Sequence, residues 1–370
     1  MKIGIDARLW NETGVGRYIR NLLKNLAQID TKNKYVIFAL EKDIPNIQLS
    51  VAGNMTLVKT NIPWHSIREQ VLFAQILNKE NLDLMHFPYF SIPLNYKRPY
   101  VITIHDLIIN NFPTGKASTL PLPLYYAKRQ AYKKVLKDGI SNAKAVIVPS
   151  DAVKKDVENL FPTAEKVFVT HEGVDEDLKK VSDSLDLNYL KDIPYFLYVG
   201  NAYPHKNVEF MIEAFKHFKD TSSNAKAAHL ILVGREDYFY KRLEKQSLEQ
   251  YSILFFHTVD DKDLSFLYTH AQALIAPSLS EGFGLTTLEA MKLGCLVLAS
   301  HIPPFHEICD KWALYFDPKK TEELERRMEN VLKMDSIEKD MYRKGAQKNL
   351  ARFSWKKMTK ETLEIYEKGI

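Results

Sequence analysis

Short runs rich in β-branched and aromatic residues punctuate the first half of the chain: KIGIDA (2–7), YVIFAL (35–40), TLVKT (56–60), YVITIHDL (100–107), AVIVPS (145–150) and KVFVTHEG (166–173). Between most of them, apolar positions return at helical spacing, as in GRYIRNLLKNLAQ (16–28). This βαβ alternation predicts a parallel, doubly wound sheet with helices on both faces. The stretch EDLKKVSDSLDLNYLKDIP (176–194) is polar and carries no strand pattern, which places a domain boundary near 178–193. After it the rhythm restarts with YFLYVGNA (195–202), HLILVGR (229–235), SILFFHTV (252–259), ALIAPS (273–278) and LVLAS (296–300). The final segment, FSWKKMTKETLEIYEKGI, has the apolar stripe of a helix able to pack on either half. No internal repeat or low-complexity tract interrupts the pattern.

The expected fold is therefore α/β, with two Rossmann-like doubly wound parallel-sheet domains facing a central cleft. Residues 1–180 form the first, 190–354 the second, and the helix over 355–370 is expected to pack back on the first. A length of 370 residues with 45% hydrophobic content suits two such domains. The net charge of +5 is mild for this length; it points to anionic small molecules or a membrane surface and away from nucleic acid. Cys295 and Cys309 are the only cysteines, too few for a disulfide framework or a thiolate metal site, and they fit a reducing cytoplasm. The opening MKIGIDARLW has no apolar stretch of signal-peptide length, and no segment reaches the roughly 20 apolar residues that span a bilayer.

Doubly wound sheets bind ligands at the carboxyl ends of their strands. Four groups of residues fall there: Gly14 and Gly16 after the first strand, His105 and Asp106 after VITI, Gly200 to Lys206 after YFLYV, and SEGFGLTTLEAM after ALIAPS. In the last, a helix is predicted over 285–293. Gly282 and Gly284 allow close backbone approach and leave amides pointing outward at the helix start, the arrangement that binds phosphate. Glu289, one turn into that helix, is placed to accept hydrogen bonds from vicinal hydroxyls, and Glu281 to hold another polyol group. The plainer alternative makes Glu289 a solvated helix residue and Glu281 a partner of the helix cap.

The two glutamates flanking the GFG turn resemble the signature of retaining glycosyltransferases of family 4, which have the two-domain GT-B fold. Further segments resemble that family in the same order: TGVGRYIRNLL (13–23), TIHDL (103–107), VPSDAVKKDV (148–157), HEGVD (171–175), YVGNAYPHKN (198–207) and FSWKKM (353–358). The resemblance implies that Glu289 binds the ribose of a sugar nucleotide. It implies that Glu281 contacts the transferred sugar, with the amides of Gly282, Phe283, Gly284 and Leu285 close by. Lys206 would neutralise the diphosphate, Gly14 and Gly16 would let the N-terminal loop cover it, and His105 would lie near the reacting centre. His105, Glu281 and Lys206 are thus the expected catalytic residues. The family often has an arginine where this chain has Asn201, and Arg235 is a candidate for the missing charge. Asp106 adjoins His105, but neighbours on a strand end point apart, so no carboxylate nucleophile is evident. The resemblance implies a same-face substitution instead.

A nucleotide-diphosphate sugar is then a substrate and no cofactor or metal ion is required. The acidic runs DED (175–177) and DDKD (260–263) superficially resemble metal-binding pairs of the other large glycosyltransferase fold. The pattern looks most like bacterial mannosyltransferases of surface polysaccharide assembly, which makes GDP-mannose the first donor and a glycan or polyprenyl-diphosphate-linked oligosaccharide the expected acceptor. TGVGRYI lacks the third glycine of a dinucleotide fingerprint, with Ile19 in its place, and TGKAS lacks the first glycine and final hydroxyl of a phosphate loop. The segment 121–144 interleaves Tyr125, Tyr126, Tyr132, Val135 and Leu136 with Lys128, Arg129, Lys133, Lys134 and Lys137. It reads either as a helix packed on the N-terminal sheet or as a peripheral contact with the inner face of the cytoplasmic membrane. Two other classes stay open: a nucleotide-sugar epimerase of the same fold, and a catalytically silent nucleotide- or glycan-binding protein.

Overall fold

The computed structural model describes every residue except 50, 109–121, 162–165, 182, 185, 247–248 and 369–370. The chain divides into two compact units, Met1–Gly173 with Phe353–Ile370, and Val174–Arg352.

The first unit holds strands β1 (Lys2–Asp6), β2 (Lys34–Leu40), β3 (Met55–Thr60), β4 (Leu84–Phe87), β5 (Tyr100–Thr103), β6 (Ala145–Val148) and β7 (Val167–Val169). They pair in parallel in the order β3-β2-β1-β4-β5-β6-β7. The second unit holds β8 (Tyr195–Val199), β9 (His229–Val233), β10 (Ile253–Phe256), β11 (Ala273–Ala276), β12 (Leu296–Ser300) and β13 (Leu314–Phe316). Their order is β10-β9-β8-β11-β12-β13, again all parallel. In each sheet the direction of winding reverses beside the first strand, between β1 and β4 and between β8 and β11. Loops leave such a switch point in opposite directions and open a crevice at the carboxyl ends of the strands.

Central strands are covered on both faces, so they read as unbroken apolar runs: Tyr100, Val101 and Ile102, or Phe196, Leu197 and Tyr198, are all buried. The Gly14–Ile29 helix buries Tyr18, Ile19, Leu22, Leu23 and Leu26, a helical stripe facing its sheet. β4 and β13 were not among the expected strands. Each is only three or four residues long, with no alternation to mark it, and β4 carries the buried polar residue His86.

The unit boundary falls at Gly173, a few residues before the 178–193 expected from composition. The polar segment that follows belongs to the second unit because its polar atoms are used there: Ser184 Oγ donates to Asp263 Oδ1 at 2.6 Å, and Lys292 Nζ donates to the Asp175 carbonyl at 2.5 Å. Phe353 and Ser354 go with the first unit, and the Trp355–Lys368 helix packs on the Gly14–Ile29 helix. Gly173 permits this return. A Cβ there would lie 2.2 Å from the backbone nitrogen of Trp355, so no larger residue fits the crossing.

The basic helix spans Leu122–Asn142, and the Tyr125 side chain lies outside the described residues. Leu136 and Ile140 are buried and Tyr132 and Val135 pack beside them on the N-terminal core, while Lys128, Lys133, Lys134 and Lys137 are exposed. Among the described residues, no helix is long and apolar enough to cross a membrane.

Candidate active site

In the second unit the loops after β8 and β11 leave adjacent strands at the switch point and are stitched together. The Leu279 amide donates to the His205 carbonyl at 2.7 Å. Asn207, in the left-handed region at φ +58°, sends its Nδ2 to the carbonyls of Pro277 (3.2 Å) and Pro318 (2.9 Å). These ties bring Lys206 Nζ to 2.7 Å from Glu281 Oε1, which also accepts from Ser278 Oγ at 2.7 Å. Both charged side chains are largely buried. Burial opposes ionisation of Glu281, but Lys206, Ser278 and His205 outweigh it and hold the carboxyl below its usual range. His205, pushed down to about 4 by burial and by Lys206, stays neutral.

Directly after Glu281 the chain turns into the Leu285–Leu293 helix, whose span agrees with the sequence pattern. Gly284 caps it at φ +109°, a conformation only glycine adopts without strain, and a Cβ there would stand 2.9 Å from the Phe305 ring. No side chain caps this helix start and no acidic residue lies in its first turn, so the helix dipole presents positive potential there. Glu281 is therefore a partner of Lys206 and not of the cap. Glu289 is only 6% exposed and accepts from Tyr268 Oη at 3.0 Å, so it is no solvated helix residue. A carboxylate buried at this depth requires hydrogen-bond donors.

Asn201 turns inward on its own loop, its Oδ1 accepting from the Tyr203 amide at 3.3 Å and its carbonyl from Tyr198 Oη at 2.5 Å. Arg235, after β9, is exposed. Two side chains of the run DDKD have structural duties: Asp260 caps the Asp261–His270 helix by accepting from the Asp263 amide, and the Asp263 carboxylate accepts from Ser184 Oγ.

In the first unit, Gly14 begins its helix in open space, whereas a Cβ on Gly16 would sit 2.5 Å from the Trp10 carbonyl and 2.9 Å from that of Leu9. Gly16 thus serves close packing of the helix on the loop after β1. His105 follows β5, with Nδ1 3.0 Å from Glu172 Oε1 and Nε2 3.0 Å from the Pro88 carbonyl, and the Tyr18 ring stands edge-on at 4.9 Å. Asp106 points elsewhere, accepting the Ile108 amide at 3.0 Å in a local turn. Glu172 was legible only as part of HEGVD, with nothing to say which side chain it meets. Behind His105 runs a buried chain: Tyr18 Oη meets Thr103 Oγ1 at 3.3 Å, which meets His86 Nε2 at 2.8 Å, and His86 Nδ1 lies 2.6 Å from Tyr366 Oη.

Known proteins resemble both units of the chain. Residues 13–178 match the model of Glycosyltransferase Family 4, and residues 186–348 that of Glycosyl transferases group 1. The chain is 27% identical over 297 residues to the O-antigen chain mannosyltransferase RfbU of Salmonella typhimurium, covering 78% of this chain and 75% of that protein. It is 26% identical over 384 residues to O-antigen chain mannosyltransferase B of Escherichia coli, covering 96% of each. Among solved structures, sucrose-phosphate synthase from Thermosynechococcus elongatus superposes with a TM-score of 0.78 at 20% identity, covering 100% of this chain and 98% of that one. HepE from Anabaena, in complex with UDP and glucose, gives 0.76 at 17% identity over 100% of both chains. With the two family models together spanning nearly the whole chain and both units built on parallel, doubly wound sheets, this protein belongs to the family 4 glycosyltransferases of the GT-B fold.

Proposed function

We propose that the protein is a retaining mannosyltransferase that moves a mannosyl group from GDP-mannose to a glycan or polyprenyl-diphosphate-linked acceptor in surface polysaccharide assembly. The observation that carries the reading is the assembly at the β8/β11 switch point: a largely buried Lys206–Glu281 pair, a helix start without a side-chain cap and a buried Glu289. The names of the O-antigen mannosyltransferase relatives support the choice of sugar and acceptor.

In this reading Glu289 accepts the ribose hydroxyls, the amides of Gly282 to Leu285 and the Lys206 ammonium receive the diphosphate, and Glu281 orients both Lys206 and the hydroxyls of the sugar. The bond from the sugar's anomeric carbon to the β-phosphate oxygen breaks as the acceptor oxygen bonds to the same face of that carbon, and the acceptor's proton passes to the departing oxygen. Charge grows on that oxygen as it leaves, so preorganised donors stabilise the transition state more than the ground state. Lysine and amide donors supply this without a divalent ion. The enzyme works in the cytoplasm, consistent with two buried, unpaired thiols, and the exposed lysines of the Leu122–Asn142 helix face the anionic membrane that holds the acceptor.

The test is a thermal-shift titration with GDP, UDP, dTDP, ADP and their sugar conjugates, with and without EDTA. GDP-mannose at about a hundred times its Kd adds roughly 2.7 kcal/mol of stability. Stabilisation by another nucleotide sugar would reassign the donor, and stabilisation only with metal would overturn the metal-free mechanism. No stabilisation by any of them would favour a silent binder.

A further inference from the structure

Beneath the carboxyl ends of β1, β3 and β4 lies a buried ionic cluster that the mechanism above does not use. Arg8 donates through Nη2 to Asp6 Oδ2 (2.7 Å) and Glu69 Oε1 (2.6 Å), through Nε to Asp6 Oδ1 (2.9 Å), and through Nη1 to the Ile62 carbonyl (3.2 Å). Its guanidinium lies 3.7 Å from the centre of the Phe73 ring. The side chains of Arg8, Asp6 and Glu69 are 1%, 10% and 0% exposed, so one cation and two carboxylates are withdrawn from water together. Such clusters are weak contributors to stability, and their attested use is to specify one geometry.

The geometry specified here belongs to two surface loops. The second oxygen of Glu69 accepts from the His65 amide at 3.0 Å and from Ser91 Oγ at 2.6 Å, binding the loop after β3 to the loop after β4. His65 is held at φ +56°, a conformation that side-chain-bearing residues rarely adopt and that points to function when the surroundings enforce it. Above the cluster the rings gather: His65 is tilted on Tyr89 (5.7 Å) and Phe90 (4.8 Å), and Trp64 stands edge-on to His65 (4.5 Å) and Tyr89 (6.4 Å). Phe90 is buried, Trp64 and Tyr89 are half-buried, and His65 is exposed. The patch adjoins the site: Pro88, whose carbonyl holds His105 Nε2, is the residue before Tyr89.

We propose that Trp64, His65 and Tyr89 form a preorganised platform on which a pyranose ring of the acceptor stacks beside His105. Rings with polar edges match a pyranose, which has an apolar C–H face and a hydroxyl rim, better than they match a lipid chain. This rests on the transferase reading and names the substrate class of its acceptor site.

Saturation-transfer NMR on the full chain, with methyl α-mannopyranoside as probe, tests it. Transfer to the ring C–H protons is expected in the wild type, with Kd weakened roughly tenfold in Trp64→Ala and Tyr89→Ala and less in Trp64→Phe. Unchanged melting temperature and nucleotide-sugar affinity in the variants show that each is folded. Equal Kd in wild type and both alanine variants, or no transfer from the wild type, overturns the platform. Binding to phosphatidylglycerol vesicles that Trp64→Ala abolishes, with methyl mannoside unaffected, overturns it in favour of a lipid contact. Failure of every nucleotide sugar to bind the wild type defeats the transferase reading instead, a result independent of the probe's contact with Trp64.

Discussion

The ammonium of Lys206 lies 2.7 Å from the carboxylate of Glu281, yet the two residues stand on loops that follow different strands of one sheet. Their meeting is a product of strand order, since β8 and β11 are neighbours although two strands separate them along the chain. An ion pair assembled this way is largely buried and is linked to Ser278.

Lys206→Ala removes a charge-assisted donor from the position assigned to the departing phosphate. Such a hydrogen bond is worth about 1.5–3 kcal/mol, so kcat is expected to fall by roughly one to two decades. Steady-state transfer assays check this, and Lys206→Arg restores charge without restoring the point-like geometry, leaving an intermediate rate.

Glu289→Ala deletes the buried acceptor assigned to the ribose. Affinity for the nucleotide diphosphate is expected to drop roughly tenfold to a hundredfold by calorimetry. Tyr268→Phe, which removes one hydrogen-bond donor to Glu289 without removing the carboxylate, is expected to have a smaller effect.

Gly16→Ala and Gly14→Ala separate packing from ligand approach. The new methyl at 16 meets two backbone carbonyls, at 2.5 and 2.9 Å, and should destabilise the chain by about 1–3 kcal/mol in urea unfolding. At 14 nothing lies within 4 Å, so stability should change by less than about 0.5 kcal/mol, and any loss of activity there reports on ligand.

Acid should destabilise the protein in two steps. His86, lowered to about 3 by burial and by the nearby His105, stays neutral in the fold while the unfolded chain protonates near 6.5. Stability therefore declines as pH falls from about 6.5 toward 3, His86 contributing up to about 1.4 kcal/mol per unit alongside His65 and His205, which burial lowers to about 4, so His86→Gln should reduce the slope of that limb in a melting curve series without abolishing it. Glu281, whose folded carboxyl is held low, contributes stability above about 4.5 that is lost only as pH falls through its folded value. Glu281→Gln should change the profile below about 4.5 and leave the upper limb alone.

Arg8→Met leaves Asp6 and Glu69 buried without their cation. Loss of about 3–5 kcal/mol is expected from denaturant titration, far more than for an exposed pair such as Arg343–Asp340.

The rhythm of apolar runs was enough to name a two-domain α/β chain, because parallel strands covered on both faces leave an unmistakable pattern in sequence. The span of the Leu285–Leu293 helix and the positions of Lys206, Glu281 and Glu289 at strand ends were legible for the same local reason. β4 was not, being a buried four-residue run containing His86, and so the switch point it forms with β1 was invisible. Nor could sequence show that Glu281 pairs with Lys206, that Glu172 and Pro88 hold His105, or that Gly16 serves packing. Local propensity and periodicity act over one or two turns of chain and are written in neighbouring residues. The partners of a charged or polar side chain are chosen by which strands lie side by side, and burial then makes those partners obligatory; that choice exists only once the sheet has formed.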